Sequence, residues 1–289
     1  MDRAQADRPR YVRRAMLVFP HAKINLGLHV LRLRPDGYRD LATVMLPIPL
    51  HDALEAILDV DLPDDELVFV RTGLPVPGNP AQDLCAKAHA LLRARHPLPG
   101  LRMHLHKAIP IGAGLGGGSS NGAHALRLLN DLLGLGESDA DLAAMAAQLG
   151  SDCAFFLRNG AQLAAGRGEV LTPLSLDLHG WWLMLINPGV HVSTADVYAN
   201  TPCVPDAEDL TALLGGSSPD AWTGRLVNVM ENYVFRTWPA VAAAKRLIVD
   251  AGAVYAAMSG SGSTVFGLFR EKPVLPVLPG GYMGWVLGV

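Results

Sequence analysis

The stretch "IPIGAGLGGGSSNGAHAL", Ile109–Leu126, contains six glycines and a pair of serines just ahead of an apolar-periodic segment. So few side chains cannot fill a core. Over 120–134, Leu126, Leu129 and Leu133 recur on one side and Gly134 supplies a C-terminal stop, so the segment reads as a helix. Glycines permit positive φ and let an anion approach the backbone. Successive amides then converge on it, and the helix start adds about half a positive charge. Ser119 or Ser120 reads as the cap, and both hydroxyls can donate to the anion as well. A phosphate cradle is therefore the preferred reading over a flexible loop. The pattern G-x-x-x-x-G-K-[ST] fails because Gly118 stands at the lysine position. G-x-G-x-x-G matches at Gly112, Gly114 and Gly117, but Lys107–Ile111, with a proline, separates it from the preceding strand.

Working outward, "LRMHLHKAIP" (101–110) reads as the strand feeding this loop, and "AQDLCAKAHALLRAR" (81–95) as a helix. Residues 16–33 alternate, with Ile24, Leu26, Leu28 and Val30 expected on one face and Asn25 and His29 on the other. "RPDGY" (34–38) is a turn. Residues 41–59 read as two extended pieces broken at Pro47 and Pro49, and 72–80 as loop. Ser138 with Asp141 opens a helix that ends near Gly150. "DCAFFL" (152–157) reads as a short strand and 161–174 as a hairpin turning at Gly166 and Gly168. A second unit starts after the pause at 173–180. It comprises a polar loop (201–220), helices near 222–235 and 239–251, and a strand–loop–strand at 255–269. Three prolines among the last 17 residues argue against a long closing helix.

The bulk properties exclude several classes. The 289 residues suffice for one large or two ordinary domains, with 50% hydrophobic and 18% charged residues, as in a globular protein. A net charge of −3 gives no footprint for nucleic acid or a membrane surface. The run Trp181–Ile186 falls far short of a bilayer span. Cys85, Cys153 and Cys203 are scattered, which fits a reducing cytoplasm. Residues 1–15, rich in arginine, read as a disordered leader with Met16 as an alternative start. Two domains are expected, 16–173 with the glycine loop and 174–289.

Three segments carry a resemblance. "PIGAGLGGGSSNGA" resembles the central motif of the GHMP kinases, "PHAKINLGL" (20–28) their first and "MSGSGSTVFG" (258–267) their third. "AKINLGLHVLRLRPDGY", "GLGGGSSN" and "GSDCAFF" are similar to the branch acting on a cytidyl-linked methylerythritol. The resemblance implies an α+β, two-domain fold. Its N-terminal domain has a left-handed β-α-β unit, its C-terminal domain is ferredoxin-like, and the active site lies in the cleft. It implies ATP-dependent phosphorylation of the substrate's 2-hydroxyl in non-mevalonate isoprenoid synthesis, with Mg²⁺ as MgATP. The metal ligands are unassigned and the oligomeric state, monomer or weak dimer, is open. Another alcohol kinase of the superfamily, homoserine- or mevalonate-type, and a non-catalytic nucleotide-binding regulator remain alternatives.

By that resemblance, Pro110, Ile111, Gly112, Ala113, Gly114, Leu115, Gly116, Gly117, Gly118, Ser119 and Ser120 hold ATP. Asp152 accepts the hydroxyl proton and Lys23 pairs with it. From sequence alone, Asp152 suits a cap or turn equally well, and Lys23 a solvated strand position. Asn25, on the Lys23 face, Thr194 and the third-motif residues Gly260, Ser261 and Gly262 are expected at the substrate. Tyr38 and Tyr198 match positions that stack on cytosine. Four departures stand out: Arg39, expected at the substrate, where the resemblance has a histidine that helps to read the cytosine, Asp83 for an asparagine near the adenine pocket, Gly122 for an alanine, and Ala154 for a proline. Arginine donates but cannot accept. Gly122 would cost about 1 kcal/mol of helix propensity. His104 and His106 share a strand face but lack a third metal ligand.

Overall fold

The structure, a computed structural model, describes residues 14–289. The expected leader therefore lies outside the described residues except for its last two positions, and Ala15 already opens a strand. Three four-stranded sheets carry the fold. The first, ordered β1-β4-β6-β5, contains β1 (Ala15–Val18), β4 (Ala53–Leu58), β6 (Leu101–Lys107) and β5 (Leu67–Gly73). The second, ordered β2-β3-β7-β8, contains β2 (His21–Leu33), β3 (Arg39–His51), β7 (Gln162–Gly166) and β8 (Val170–Pro173). The β7–β8 hairpin turns at Gly166 and Gly168, both at positive φ, as the sequence suggests. β5 and β6 run parallel, joined through α1 (Leu84–Arg93), which makes the β-α-β unit.

The third sheet, ordered β10-β11-β9-β12, is antiparallel throughout and contains β10 (Tyr255–Met258), β11 (Val265–Phe269), β9 (Trp182–Asn187) and β12 (Met283–Gly288). Between β9 and β10 run α4 (Thr194–Asn200), α5 (Leu210–Gly215), α6 (Glu231–Thr237) and α7 (Pro239–Asp250). This strand order is ferredoxin-like, but residues 270–282 cross to β12 without a helix. Pro273, Pro276 and Pro279 explain that, since each lacks the amide a helix needs. Among the described residues, no helix is long and apolar enough to cross a membrane.

Several local expectations fail for identifiable reasons. β2 does not keep one apolar face, because Gly27 sits at φ +65 in a bulge. Leu26 opposes Val44 while Leu28 opposes Thr43, so the two leucines point to opposite faces. Ile24 and Leu26 accordingly enter one apolar cluster and Leu28 and Val30 another. β3 runs through Pro47 and Pro49. Its partner β7 covers only Leu41–Met45, so further on the strand has an open edge where a missing amide disrupts no ladder. Residues 153–157 form a 3₁₀ helix, not a strand, and pack their aromatic rings edge to face (Phe155–Phe156, 4.9 Å). β5 was not anticipated, and α5 interrupts the expected polar loop. Of the expected helix 222–235 only the last five residues are helical, in α6; residues 222–230 form turns after a short 3₁₀ helix at Pro219–Ala221.

The glycine loop leads into α2 (Gly117–Leu133), and α3 (Asp139–Leu149) follows, capped by Ser138 accepting from the Asp141 amide. Gly122 is where α2 meets α1: a Cβ there would lie 2.8 Å from Leu84 Cβ. Close approach, not propensity, explains this residue. Beneath the loop, the buried carboxylate of Asp52, between β3 and β4, takes four donors. Oδ1 accepts the amides of Ala108 (2.7 Å) and Ile109 (2.9 Å). Oδ2 accepts Lys107 Nζ and Asn121 Nδ2 (2.8 Å), and Lys107 also donates to Asn121 Oδ1 (2.9 Å). One side chain thus ties the strand end before the loop to the helix after it.

Two outcomes are expected in urea unfolding. Gly122→Ala should destabilise by about 1–3 kcal/mol, although propensity alone would stabilise it. Asp52→Asn strands the Lys107 ammonium and should cost about 3–5 kcal/mol, whereas Asp52→Asn/Lys107→Met should recover more than half of that loss.

Candidate active site

The glycine loop leaves β6 at Lys107. Gly112, Gly114 and Gly116 all adopt left-handed φ (64°, 77° and 68°), which side-chain-bearing residues disfavour. Pro110, Ala113, Leu115, Gly117 and Ser120 form the loop's buried underside, while Ile111, Gly112 and Gly118 face outward and Ser119 is half-buried. The cap of α2 is Gly116, without any side-chain bond. Ser119 and Ser120 lie inside the first turn instead of capping it, and Ser120 is fully buried with its hydroxyl 3.3 Å from His124 Nδ1. Among the described residues, the first-turn amides of Gly117, Gly118 and Ser119 donate to no protein acceptor. An open helix start with Gly118 bare toward solvent fits a polyphosphate.

The three motif segments meet here. Lys23 N donates to Leu115 O (3.0 Å), and Thr264 N to Ala113 O (3.1 Å). Ser259 Oγ donates to Gly114 O (2.8 Å) and accepts from Asn25 N (3.2 Å). Asn228, which carries no motif signal in the sequence, holds the third motif through Met258 O (2.9 Å) and Gly260 O (2.8 Å).

Lys23 lies on β2 with its side chain only 5% exposed. Its Nζ donates to Asn25 Oδ1 (2.5 Å) and stands 3.9 Å from Asp152 Oδ2. Asn25 in turn donates to Thr43 Oγ1 (3.0 Å), which donates to Gly27 O (2.5 Å). This chain fixes the Asn25 amide so that its oxygen faces the lysine. Burial pulls the Lys23 pKa below the ordinary lysine value, and the charge of Asp152 partly opposes the shift. Asp152 starts the 3₁₀ helix but makes no cap bond, and its side chain is 31% exposed. A cap is therefore not the role it fills.

Of the expected substrate residues, Tyr198 lies in the field of Asp152 and Gly260 against Asn25, while the others make contacts of their own. Tyr198, on α4, is half-buried, and burial together with the Asp152 charge pushes its pKa up to about 12. Thr194 and Ser261 join their hydroxyls at 2.9 Å. Gly260 backs onto Asn25, where a Cβ would lie 3.2 Å from Oδ1, and Gly262 closes the same loop. Tyr38 is exposed, with the Arg167 guanidinium 4.8 Å above its ring. Arg39 donates to Thr201 O (3.0 Å), Ala199 O (3.3 Å) and Cys203 Sγ (3.3 Å).

Asp83 and the His104–His106 pair serve local structure. Asp83 caps α1 through the Cys85 amide (3.0 Å) and pairs with Arg71 (3.4 Å). The Thr72 hydroxyl lies 2.8 Å from His104 Nε2 and 3.0 Å from His106 Nδ1. Among the described residues, no group of three or more His, Cys, Asp or Glu could hold a metal ion. Lys107 was not among the expected site residues, although the sequence carries a signal for it. In "LRMHLHK", Lys107 follows Leu101, Met103 and Leu105 on the buried face of an alternating strand.

The family models described as GHMP kinases N terminal domain and GHMP kinases C terminal match residues 83–160 and 210–275. The chain is 45% identical over 260 residues to the 4-diphosphocytidyl-2-C-methyl-D-erythritol kinase of Cytophaga hutchinsonii, covering 89% of this chain and 94% of that protein. It is 40% identical over 251 residues to the enzyme of the same name from Geobacter sp., covering 87% and 88%. A crystal structure of 4-(cytidine 5'-diphospho)-2C-methyl-D-erythritol kinase superposes with TM-score 0.71 at 34% identity, covering 88% of this chain and 90% of that one. The L. major mevalonate kinase, at 17% identity and TM-score 0.62 over 91% and 90% of the two chains, shares the fold. At this identity and coverage, the chain belongs to the 4-diphosphocytidyl-2-C-methyl-D-erythritol kinases of the GHMP kinase superfamily.

Proposed function

We propose that the chain transfers the γ-phosphoryl group of ATP to the 2-hydroxyl of 4-(cytidine 5'-diphospho)-2-C-methyl-D-erythritol, in the cytoplasm, as a step of non-mevalonate isoprenoid synthesis. The observation that carries this reading is the Lys23–Asp152 pair at 3.9 Å beside a loop whose helix-start amides have no protein acceptor among the described residues. Asp152 takes the hydroxyl proton as the alcohol oxygen bonds to the γ-phosphorus. The bond from that phosphorus to the bridging oxygen breaks, and ADP leaves with the electron pair. Lys23, 3.9 Å from Asp152 Oδ2, pairs with the carboxylate and orients it. The amides of 117–119 hold the phosphates in line, and such positioning and electrostatics supply most of the catalysis of phosphoryl transfer. Mg²⁺ travels with the triphosphate and, when bound, neutralises its charge. Asp152 is the partly exposed carboxylate of the pair, and a magnesium site needs only one or two carboxylates besides phosphate oxygens and water. Tyr198 and Tyr38 offer ring faces to the cytosine, while Thr194, Ser261 and Asn25 offer hydrogen bonds. The domains are 16–173 and 174–289, although one apolar cluster joins Ile24 and Leu26 of the first to Leu183, Leu185 and Phe266 of the second.

An ATP-coupled assay over a panel of alcohols tests the substrate. Turnover of the cytidyl compound is expected, and activity confined to a non-cytidyl alcohol contradicts the reading. Asp152→Asn should fold normally and bind ATP in calorimetry, yet lose about a hundredfold or more in kcat. Because burial lowers the Lys23 pKa, turnover should fall on the alkaline side below pH 10.5, the free-lysine value. A profile flat to that pH argues against a protonated Lys23 in the reaction.

A further inference from the structure

Arg39 opens β3 at the foot of the hairpin turn 34–38, paired with Leu33 across the ladder. The turn is held by Arg34 N to Tyr38 O (2.8 Å) and Gly37 N to Arg34 O (3.1 Å). The nearby carboxylates are already engaged. Asp36 accepts from Arg34 and the Tyr38 amide, and Asp40 accepts from Arg32 and Arg34. The Arg39 fork is left to the carbonyls at the end of α4, Ala199 within it and Thr201 capping it, and to Cys203 Sγ. A cation there meets carbonyls that have no partner within the helix and also the negative end of its dipole.

α4 has only seven residues, too few to hold its shape alone. Contacts from elsewhere fix it. Thr194 meets Ser261 at its start, Tyr233 OH donates to Asp196 Oδ2 (2.9 Å) in its middle, and Arg39 holds its end. Tyr198 directly precedes Ala199, one of the two carbonyls that accept from Arg39, and its hydroxyl lies in the field of Asp152. We infer that Arg39 is a positioning residue that latches the C-terminal end of α4 and thereby sets the Tyr198 ring against the nucleobase of the acceptor substrate. It does not read the base. The inference rests on the cytidyl-kinase reading for the identity of that substrate. Base discrimination then falls to groups other than residue 39.

The test combines steady-state kinetics on the cytidyl substrate and its uridyl analogue with amide hydrogen exchange over residues 197–201. Arg39→Ala should raise KM for the cytidyl compound about tenfold, the worth of one or two charge-assisted hydrogen bonds. It should raise KM for the uridyl compound by the same factor, leaving kcat and the KM for ATP within about twofold. Exchange over 197–201 should quicken about tenfold. In a Tyr198→Ala background the same substitution should add no more than about twofold to KM, because both changes remove one interaction. Arg39→Lys, a cation without the fork, should fall between. A changed cytidyl-to-uridyl ratio, or effects of the two substitutions that multiply, would mean direct base contact and overturn the inference. So would wild-type KM and exchange in Arg39→Ala. If the unaltered enzyme does not turn over the cytidyl compound, the proposed function fails, and exchange alone decides: quickened exchange keeps the latch, unchanged exchange removes it.

Discussion

The backbone of Gly114 runs so close to the third motif that a Cβ would sit 2.0 Å from the Ser259 carbonyl oxygen. No residue with a side chain fits there, so the phosphate loop and the C-terminal sheet can touch main chain to main chain only at a glycine. The left-handed turns on either side, the Ser259 bridge to Asn25, and the seating of Lys23 against Leu115 all follow from that contact. Gly116 makes a second close pass, with its Cβ position 2.7 Å from the Phe156 ring and 3.1 Å from Lys23 Cγ. Poverty of side chains thus serves two ends, bare amides outward and tight backbone contact inward.

Two buried lysines flank this loop, and their partners differ in a way that separates support from chemistry. Lys107 and Asp52 are 1% and 0% exposed, and the carboxylate is filled by four donors. Such a group has nothing left to offer a ligand and acts as a strut. Asp152 is reached by solvent and, among the described residues, accepts only a long hydrogen bond from Ser151 (3.4 Å) besides its loose pairing with Lys23. Its oxygens keep the capacity to accept a proton. The contrast comes from burial and hydrogen bonding, since the residue types are the same.

Sequence carried the parts that depend on local rules. Ser138 capping, Gly134 as a left-handed stop and the Gly166–Gly168 hairpin are short-range chemistry and are found where expected. The segments that meet at the loop are also contiguous in sequence, since Lys23, the glycine loop and the third motif each lie in one short run. The failures needed partners distant in sequence. The bulge at Gly27 reverses the faces of β2, and Leu210 and Leu226, each 2.8 Å from where a Cβ would be, leave room there only for glycine. Nothing in "LHDALE" marks Asp52 as the tie beneath the loop. Gly122 is a propensity defect in one dimension and a helix contact in three, because Leu84 stands beside it. Arg39 reads as base-facing next to Tyr38 in the chain, while its carbonyl partners lie some 160 positions on.

The apolar cluster shared between Ile24, Leu26, Leu183, Leu185, Tyr255 and Phe266 constrains how the enzyme breathes. Units joined by a thin polar seam can swing as rigid bodies, but here β2 and the third sheet close over one buried apolar interior. Separating β2 from that sheet would wet the interior, which costs far more than thermal fluctuation supplies. The pieces that carry little buried surface lie at the periphery instead, the exposed tip around Gly37 and Tyr38 among them.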